Sequence, residues 1–219
     1  MLSQTNEIGK GIMVSQNQEP NVAAQSYEPG VYMLTGINGS GKSTVVDMIA
    51  ASRPEVISVH ASLELSKLFN GSSREELETL SAEEKLGRMV AHFTTLFDQS
   101  MNDNRAVIMD THLLVPIRKD SGVTYENIWS DEYSRYVRSM AMITATADTI
   151  RGWRLRDEAQ TGRIRNIILS DIEADQTANI DLFHGLIADG SLPDSSRIVE
   201  SVDGGLAEVT RNVEAVFGM

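Results

Sequence analysis

Apolar residues fall along this chain in two rhythms: short continuous runs, and longer stretches where they recur every three or four positions. Five short runs read as strands: Val31–Thr35, Glu55–Val59, Ala106–Asp110, Met140–Thr144 and Ser196–Glu200. The third is apolar up to its last residue, the pattern of a strand buried on both faces. Helical spacing fills the intervals. It covers 44–51, then Leu63, Leu65 and Leu68 after Ser62, a candidate N-cap, with Asn70-Gly71 as the stop. Ser73 and Glu76 stand at capping-box spacing. Ser81 opens a long amphipathic helix with Leu86, Met89, Val90, Phe93, Leu96 and Phe97 on one face. An arginine-rich helix follows the fourth strand and breaks at Gln160-Thr161-Gly162; further helices cover 170–188 and 206–217. Residues 113–130, with Pro116 and Gly122, read as a long polar connection. Strands alternating with helices predict a three-layer α/β/α fold with a five-stranded parallel sheet covered on both sides. Residues 1–28, rich in Gln, Asn, Ser and Glu, are expected to be a flexible N-terminal tail, with an extra helix or a partner-binding arm as alternatives. The folded domain is then 29–219.

Composition narrows the class. The 219 residues are 41% hydrophobic and 23% charged, ordinary for a globular domain with a substantial core. A net charge of −12 argues against a nucleic-acid polymer or an anionic membrane as partner, since either wants a basic face. There is no cysteine, which excludes disulfides and thiolate metal sites. No apolar run reaches the length of a membrane span, and the N-terminus lacks the apolar stretch of a secretory signal. The expected location is the cytoplasm.

The chemistry concentrates at Gly36-Ile37-Asn38-Gly39-Ser40-Gly41-Lys42-Ser43, which fits G-x-x-x-x-G-K-[ST] between a strand and a helix. Glycines let successive N–H groups turn inward on a phosphate, and the helix that follows adds free N–H groups and the positive end of its dipole. Gly36, Asn38, Gly39, Ser40, Gly41, Lys42, Ser43 and Thr44 are the candidate nucleotide-binding residues. Lys42 would reach the β- and γ-phosphates of ATP, and the Ser43 hydroxyl would sit on Mg²⁺. The plain alternative is a glycine-rich turn.

Asp110 ends an apolar strand, where a carboxylate can hold Mg²⁺ beside Ser43; otherwise it only begins a turn. Thr111 and His112 follow at the same sheet edge and are candidate acceptor contacts, with a satisfied loop histidine as the alternative. Arg151, Arg154, Arg156, Arg163 and Arg165 gather in an acidic chain, over a segment of about 151–168. They read either as a lid that closes over transferring phosphate or as a solvated helix face. Arg74 could clamp the phosphate of a second substrate or pair with Glu75 or Glu78. Trp153 and Phe97 are possible base platforms, though core packing is the default for both.

This order of motifs resembles the archaeal-type adenylate kinases, a branch of the P-loop nucleoside monophosphate kinases. The resemblance is carried by Gly36–Thr44, Ser73-Arg74-Glu75-Glu76-Leu77, Asp110-Thr111-His112, Arg154-Leu155-Arg156-Asp157-Glu158 and Arg163-Ile164-Arg165-Asn166, and spans about residues 30–218. It implies Mg²⁺-dependent transfer of the ATP γ-phosphate to a nucleoside monophosphate. Lys42 would hold the donor, Ser43 and Asp110 Mg²⁺, and Arg74 the acceptor phosphate, while Arg154, Arg163 and Arg165 would close over the transferring group. Three features differ from the family. The loop after His112, which by the resemblance lines the acceptor side, lacks the family's aromatic and proline-rich character; Gln160-Thr161-Gly162 lengthens the lid; and the N-terminus is extended. Two other readings keep the nucleotide: a P-loop kinase of a small hydroxyl metabolite, and a regulatory ATP-binding switch with slow turnover.

Overall fold

The strand β1 (Gly30–Thr35) is buried along its whole length because its two faces feed two separate cores. Val31 and Met33 join Val107, Met109, Met140 and Met142 on one side; Tyr32 and Leu34 join Ile108, Ala141 and Ile143 on the other. Side chains alternate across a strand, so continuous apolar runs become two-sided. In the computed structural model, which describes residues 28–69, 80–162, 164–201 and 205–219, β1 lies between β3 (Ala106–Asp110) and β6 (Val137–Thr144). The strands β2 (Ile57–His60) and β7 (Arg197–Glu200) are the edges of this parallel five-stranded sheet.

Helices α1 (Lys42–Ser52) and α6 (Leu206–Phe217) cover one face through Val45, Val46, Ile49, Val209, Val213 and Phe217. Helices α3 (Ala82–Asn102) and α5 (Leu169–Ala188) cover the other with Phe93, Phe97 and Phe183. Ser81 opens α3 as expected, and it does so through a capping box: the Glu84 N–H donates to Ser81 Oγ, and the Ser81 N–H donates to Glu84 Oε2. Phe183 is 1% exposed, and Phe183→Ala is expected to lower unfolding stability by about 3–5 kcal/mol in a urea titration.

Several local expectations change. The stretch read as a polar connection holds an antiparallel hairpin, β4 (Leu114–Lys119) and β5 (Gly122–Asn127), turning at Asp120-Ser121 and separate from the main sheet. Each strand of a two-stranded sheet keeps a free edge, so Pro116 need not break it. Helix α2 (Ala61–Leu68) starts directly after β2, with His60 and not Ser62 at the N-cap. Its end lies at Phe69, whose N–H donates to Leu65 O; Asn70-Gly71 and the Ser73–Glu76 pair fall outside the described residues. Helix α4 (Ala147–Thr161) runs on through Gln160 and Thr161, and only Gly162, with φ 72°, ends it. Residues 1–27 also lie outside the described residues. No described helix is long and apolar enough to cross a membrane.

Candidate active site

Three elements converge at the carboxyl edge of β1: the glycine loop 36–41, the end of β3, and the segment 154–166. The loop geometry requires glycine at specific points. Gly36 has φ 139°, and a Cβ there would lie 2.6 Å from Ile143 O. Gly39 has φ 82°, and its Cβ would lie 2.8 Å from Arg154 Cγ. No side chain caps α1, which leaves its first-turn N–H groups facing the cleft.

Lys42 is 7% exposed, and its Nζ donates to Gly36 O and Ile37 O, both at 2.9 Å. Burial pushes its pKa down to about 7; Asp110 opposes this, and Arg165 and Arg154 add to it. A buried cation whose hydrogen bonds go to carbonyl oxygens, with one carboxylate and two arginines acting on it, is short of negative charge. Ser40 Oγ and Thr35 Oγ1 are also buried without a partner among the described residues. These are the features of a polyphosphate cradle, so the residues present fit ATP.

Ser43 Oγ donates to Asp110 Oδ2 at 2.5 Å. That places a hydroxyl and a carboxylate together, the oxygen set a small hard cation such as Mg²⁺ takes alongside phosphate. Among the described residues no cluster of three or more His, Cys, Asp or Glu could hold a metal without such help. The same Oδ2 lies 3.0 Å from His60 Nδ1, and His60 Nε2 lies 3.1 Å from Asp47 Oδ1. Burial alone would lower the His60 pKa, but the hydrogen bond and charge of Asp110, with Asp47 behind it, raise it above the ordinary value. His60 was not among the expected site residues, although it ends β2 at the ligand-binding edge of the sheet.

His112 Nδ1 donates to Gly36 O at 2.8 Å. Burial, then the Lys42 charge, push its pKa down to about 3; the Gly36 bond opposes this and Arg165 adds to it. The ring is therefore neutral at physiological pH, with Nδ1–H committed to the loop and Nε2 left as an acceptor. Thr111 is 8% exposed and donates through Oγ1 to His112 O at 3.3 Å, while its N–H extends the sheet to Leu34 O.

The arginines separate by role. Arg154 is 3% exposed; Nε and Nη2 donate to Asn38 O at 3.0 and 2.7 Å, and Nη1 donates to Asn166 O at 2.5 Å. It ties α4 and the following segment to the loop, with one hydrogen left on each Nη. Arg165 Nη2 pairs with Asp157 Oδ2 at 2.8 Å, while its buried Nε has no partner among the described residues. Arg156 lines the cleft, whereas Arg151 pairs with Asp148 at its i−3 position. Arg74 and Arg163 lie outside the described residues, so their expected roles stay expectations. Of the two aromatics, Phe97 is fully buried in the core, while Trp153 packs beside Ile150 and reaches the cleft.

The cleft measures about 800 Å³. Thr44, Trp153, Ser201, Leu206 and Val209 lie along it with the loop, and Leu114, Pro116 and Arg118 of β4 enter as well.

No protein-family model and no curated protein matches the chain. Solved structures do. Thymidylate kinase from Candida albicans superposes with a TM-score of 0.54 at 12% identity, over 87% of this chain and 92% of that one. A gluconokinase from Sinorhizobium meliloti 1021 gives 0.50 at 15% identity over 88% and 93%. Shikimate kinase from Bacteroides thetaiotaomicron gives 0.50 at 11% identity over 87% and 99%. At such identities the likeness is one of fold: this chain has the three-layer α/β architecture of the P-loop kinases.

Proposed function

We propose that the protein is a Mg²⁺- and ATP-dependent phosphotransferase acting on a nucleoside monophosphate, close to adenylate kinase in chemistry. The observation that carries this reading is the buried Lys42, which among the described residues donates only to backbone carbonyls, beside Arg154 and Arg165. Three cations facing one cleft in a chain of net charge −12 call for a polyanion at that place. Arginine pairs of this kind stabilise charge on a transferring phosphoryl group. Lys42 and the loop N–H groups would hold the donor phosphates. Ser43 and Asp110 would hold Mg²⁺, which supplies charge neutralisation at the phosphates. Arg154 and Arg165 offer their remaining N–H groups to the transferring group. The apolar end at Trp153, Leu206 and Val209 would receive the donor base. Positioning and charge carry the catalysis, with no covalent intermediate.

ADP formation from Mg²⁺-ATP with a panel of nucleoside monophosphates, against a control without acceptor, tests the proposal. Strong stimulation by one member is expected; no stimulation by any would refute the acceptor class. One observation favours a second reading. The neutral His112, whose Nε2 has no partner among the described residues, could accept a hydrogen bond from a hydroxyl acceptor and orient it, so sugars and hydroxy acids belong in the same panel.

The state of Lys42 links nucleotide binding to pH. Its value near 7 in the free protein must rise when phosphate arrives, because the protonated form is the one that binds. Below pH 7 the proton is already present and affinity is flat with respect to this group. Above pH 7 binding must take up a proton, so affinity falls as pH rises. Calorimetric titration at about pH 8 in two buffers of different ionisation enthalpy should report uptake of about one proton. Equal heats in both buffers would contradict it.

A further inference from the structure

The β4–β5 hairpin is aimed at the cleft by one strand face. Leu114, Pro116 and Arg118 line the cleft, and these alternate residues share a side of β4. Tyr125, paired in register with Pro116, lies on the same side of the hairpin. Three contacts pin that face to α5. Asn179 Oδ1 accepts the Leu114 N–H at 3.1 Å, Tyr125 OH donates to Asp175 Oδ1 at 3.2 Å, and Arg118 Nη2 donates to Asp175 Oδ2 at 2.7 Å. Asp175 is itself 3% exposed. Arg118 Nε donates further to Asp171 Oδ2 at 3.3 Å.

Two carboxylates thus fix the guanidinium from one side. They use two of its five N–H donors, leaving both Nη1 hydrogens and one on Nη2 without a partner among the described residues. The Asp171 pair is partly exposed and contributes little stability, Asp175 is buried, and the two carboxylates together hold the fork in place. Arg118 also acts electrostatically on Arg154, and Arg154 sits on the phosphate loop. Cationic groups therefore run from Lys42 through Arg165 and Arg154 to Arg118, beyond the span that the donor phosphates occupy in the proposed function.

We infer that Arg118, on the hairpin face that the family resemblance puts on the acceptor side of the cleft, binds an oxyanion carried by the acceptor. This rests on the transferase reading above and adds the residue that selects the acceptor. The oxyanion is a phosphate or a carboxylate. Leu114 and Pro116 form an apolar shelf beside it that favours a flat or compact body over an extended polar chain.

Equilibrium binding tests this apart from turnover. AMP, dTMP, gluconate and shikimate are titrated into wild-type, Arg118→Gln and Arg118→Lys protein saturated with a non-hydrolysable Mg²⁺-ATP analogue. At least one probe should bind the wild type, weaken about tenfold or more in Arg118→Gln and recover in part in Arg118→Lys. Analogue affinity should stay near wild type in both variants; Arg118→Gln, which leaves the buried Asp175 without its cation, is expected to melt somewhat lower, and Arg118→Lys to recover most of that loss. Loss confined to monophosphates identifies a phosphate, and loss confined to the acids a carboxylate. Equal probe binding by wild type and Arg118→Gln, or no probe binding at all, overturns the inference. So does a loss accompanied by a matching fall in melting temperature that Arg118→Lys does not reverse. Asp171→Asn, which frees one anchor and leaves Arg118 in place, should give a smaller loss of the same kind. Failure of the transferase reading shows differently: a probe that binds and depends on Arg118, yet yields no ADP from Mg²⁺-ATP.

Discussion

Lys42→Ala should abolish phosphoryl transfer and leave the fold standing. Turnover is expected to fall by about 1,000-fold, the scale of removing a preorganised donor from developing phosphate charge. Stability should change by no more than about 1 kcal/mol, because two effects oppose each other. Ile37 O loses its Lys42 donor and Gly36 O keeps only that of His112, while the protein is relieved of a buried ammonium that desolvation holds near pKa 7. Steady-state kinetics with a urea titration of the same variant check both parts. Activity within about tenfold of wild type would remove Lys42 from the site and with it the phosphate-loop assignment.

Asp110→Asn carries the second large effect. A single oxygen, Oδ2, accepts from Ser43 Oγ at 2.5 Å and faces His60 Nδ1 at 3.0 Å. The amide keeps the shape and an accepting oxygen but removes the charge that a divalent cation needs. Turnover should fall by about 100-fold, and half-maximal rate should require about tenfold more Mg²⁺. Nucleotide binding measured without Mg²⁺ should remain close to wild type. An unchanged Mg²⁺ dependence would leave Asp110 a structural partner of Ser43 and His60, and the cation would have to be held elsewhere.

What the chain revealed before its structure follows from how strongly each feature is written. A strand buried on both faces is apolar at every position, so Val31–Thr35 and Ala106–Asp110 stand out without any knowledge of their neighbours. The glycine spacing of 36–41 is equally plain, because the backbone there tolerates no Cβ at Gly36 or Gly39. The hairpin was hidden by Pro116, which argues against a strand, and by a turn at Asp120-Ser121 without the usual Asn-Gly signal. The β-branched Val115 and Ile117, two positions apart, were its faint trace.

The arginine segment shows a different limit. Sequence places five arginines close together but cannot tell which helix face meets the loop. The fold turns Arg154 inward onto Asn38 O, leaves Arg151 outside with Asp148, and pairs Arg165 with Asp157. Gln160 and Thr161 continue the helix because neither disfavours it strongly; only the left-handed Gly162 stops it. His60 carries no motif. Its importance comes from β2 ending beside β3, which brings residue 60 opposite residue 110 in register.

The central claim is that this cleft moves the terminal phosphate of ATP to a second molecule. The direct measurement follows the label from γ-³²P-ATP, with Mg²⁺ and a mixture of nucleoside monophosphates, in wild-type protein and in Lys42→Ala. The account predicts label in a nucleoside diphosphate with wild type and none with the variant. Label released only as inorganic phosphate, or transfer that survives loss of Lys42, would contradict it.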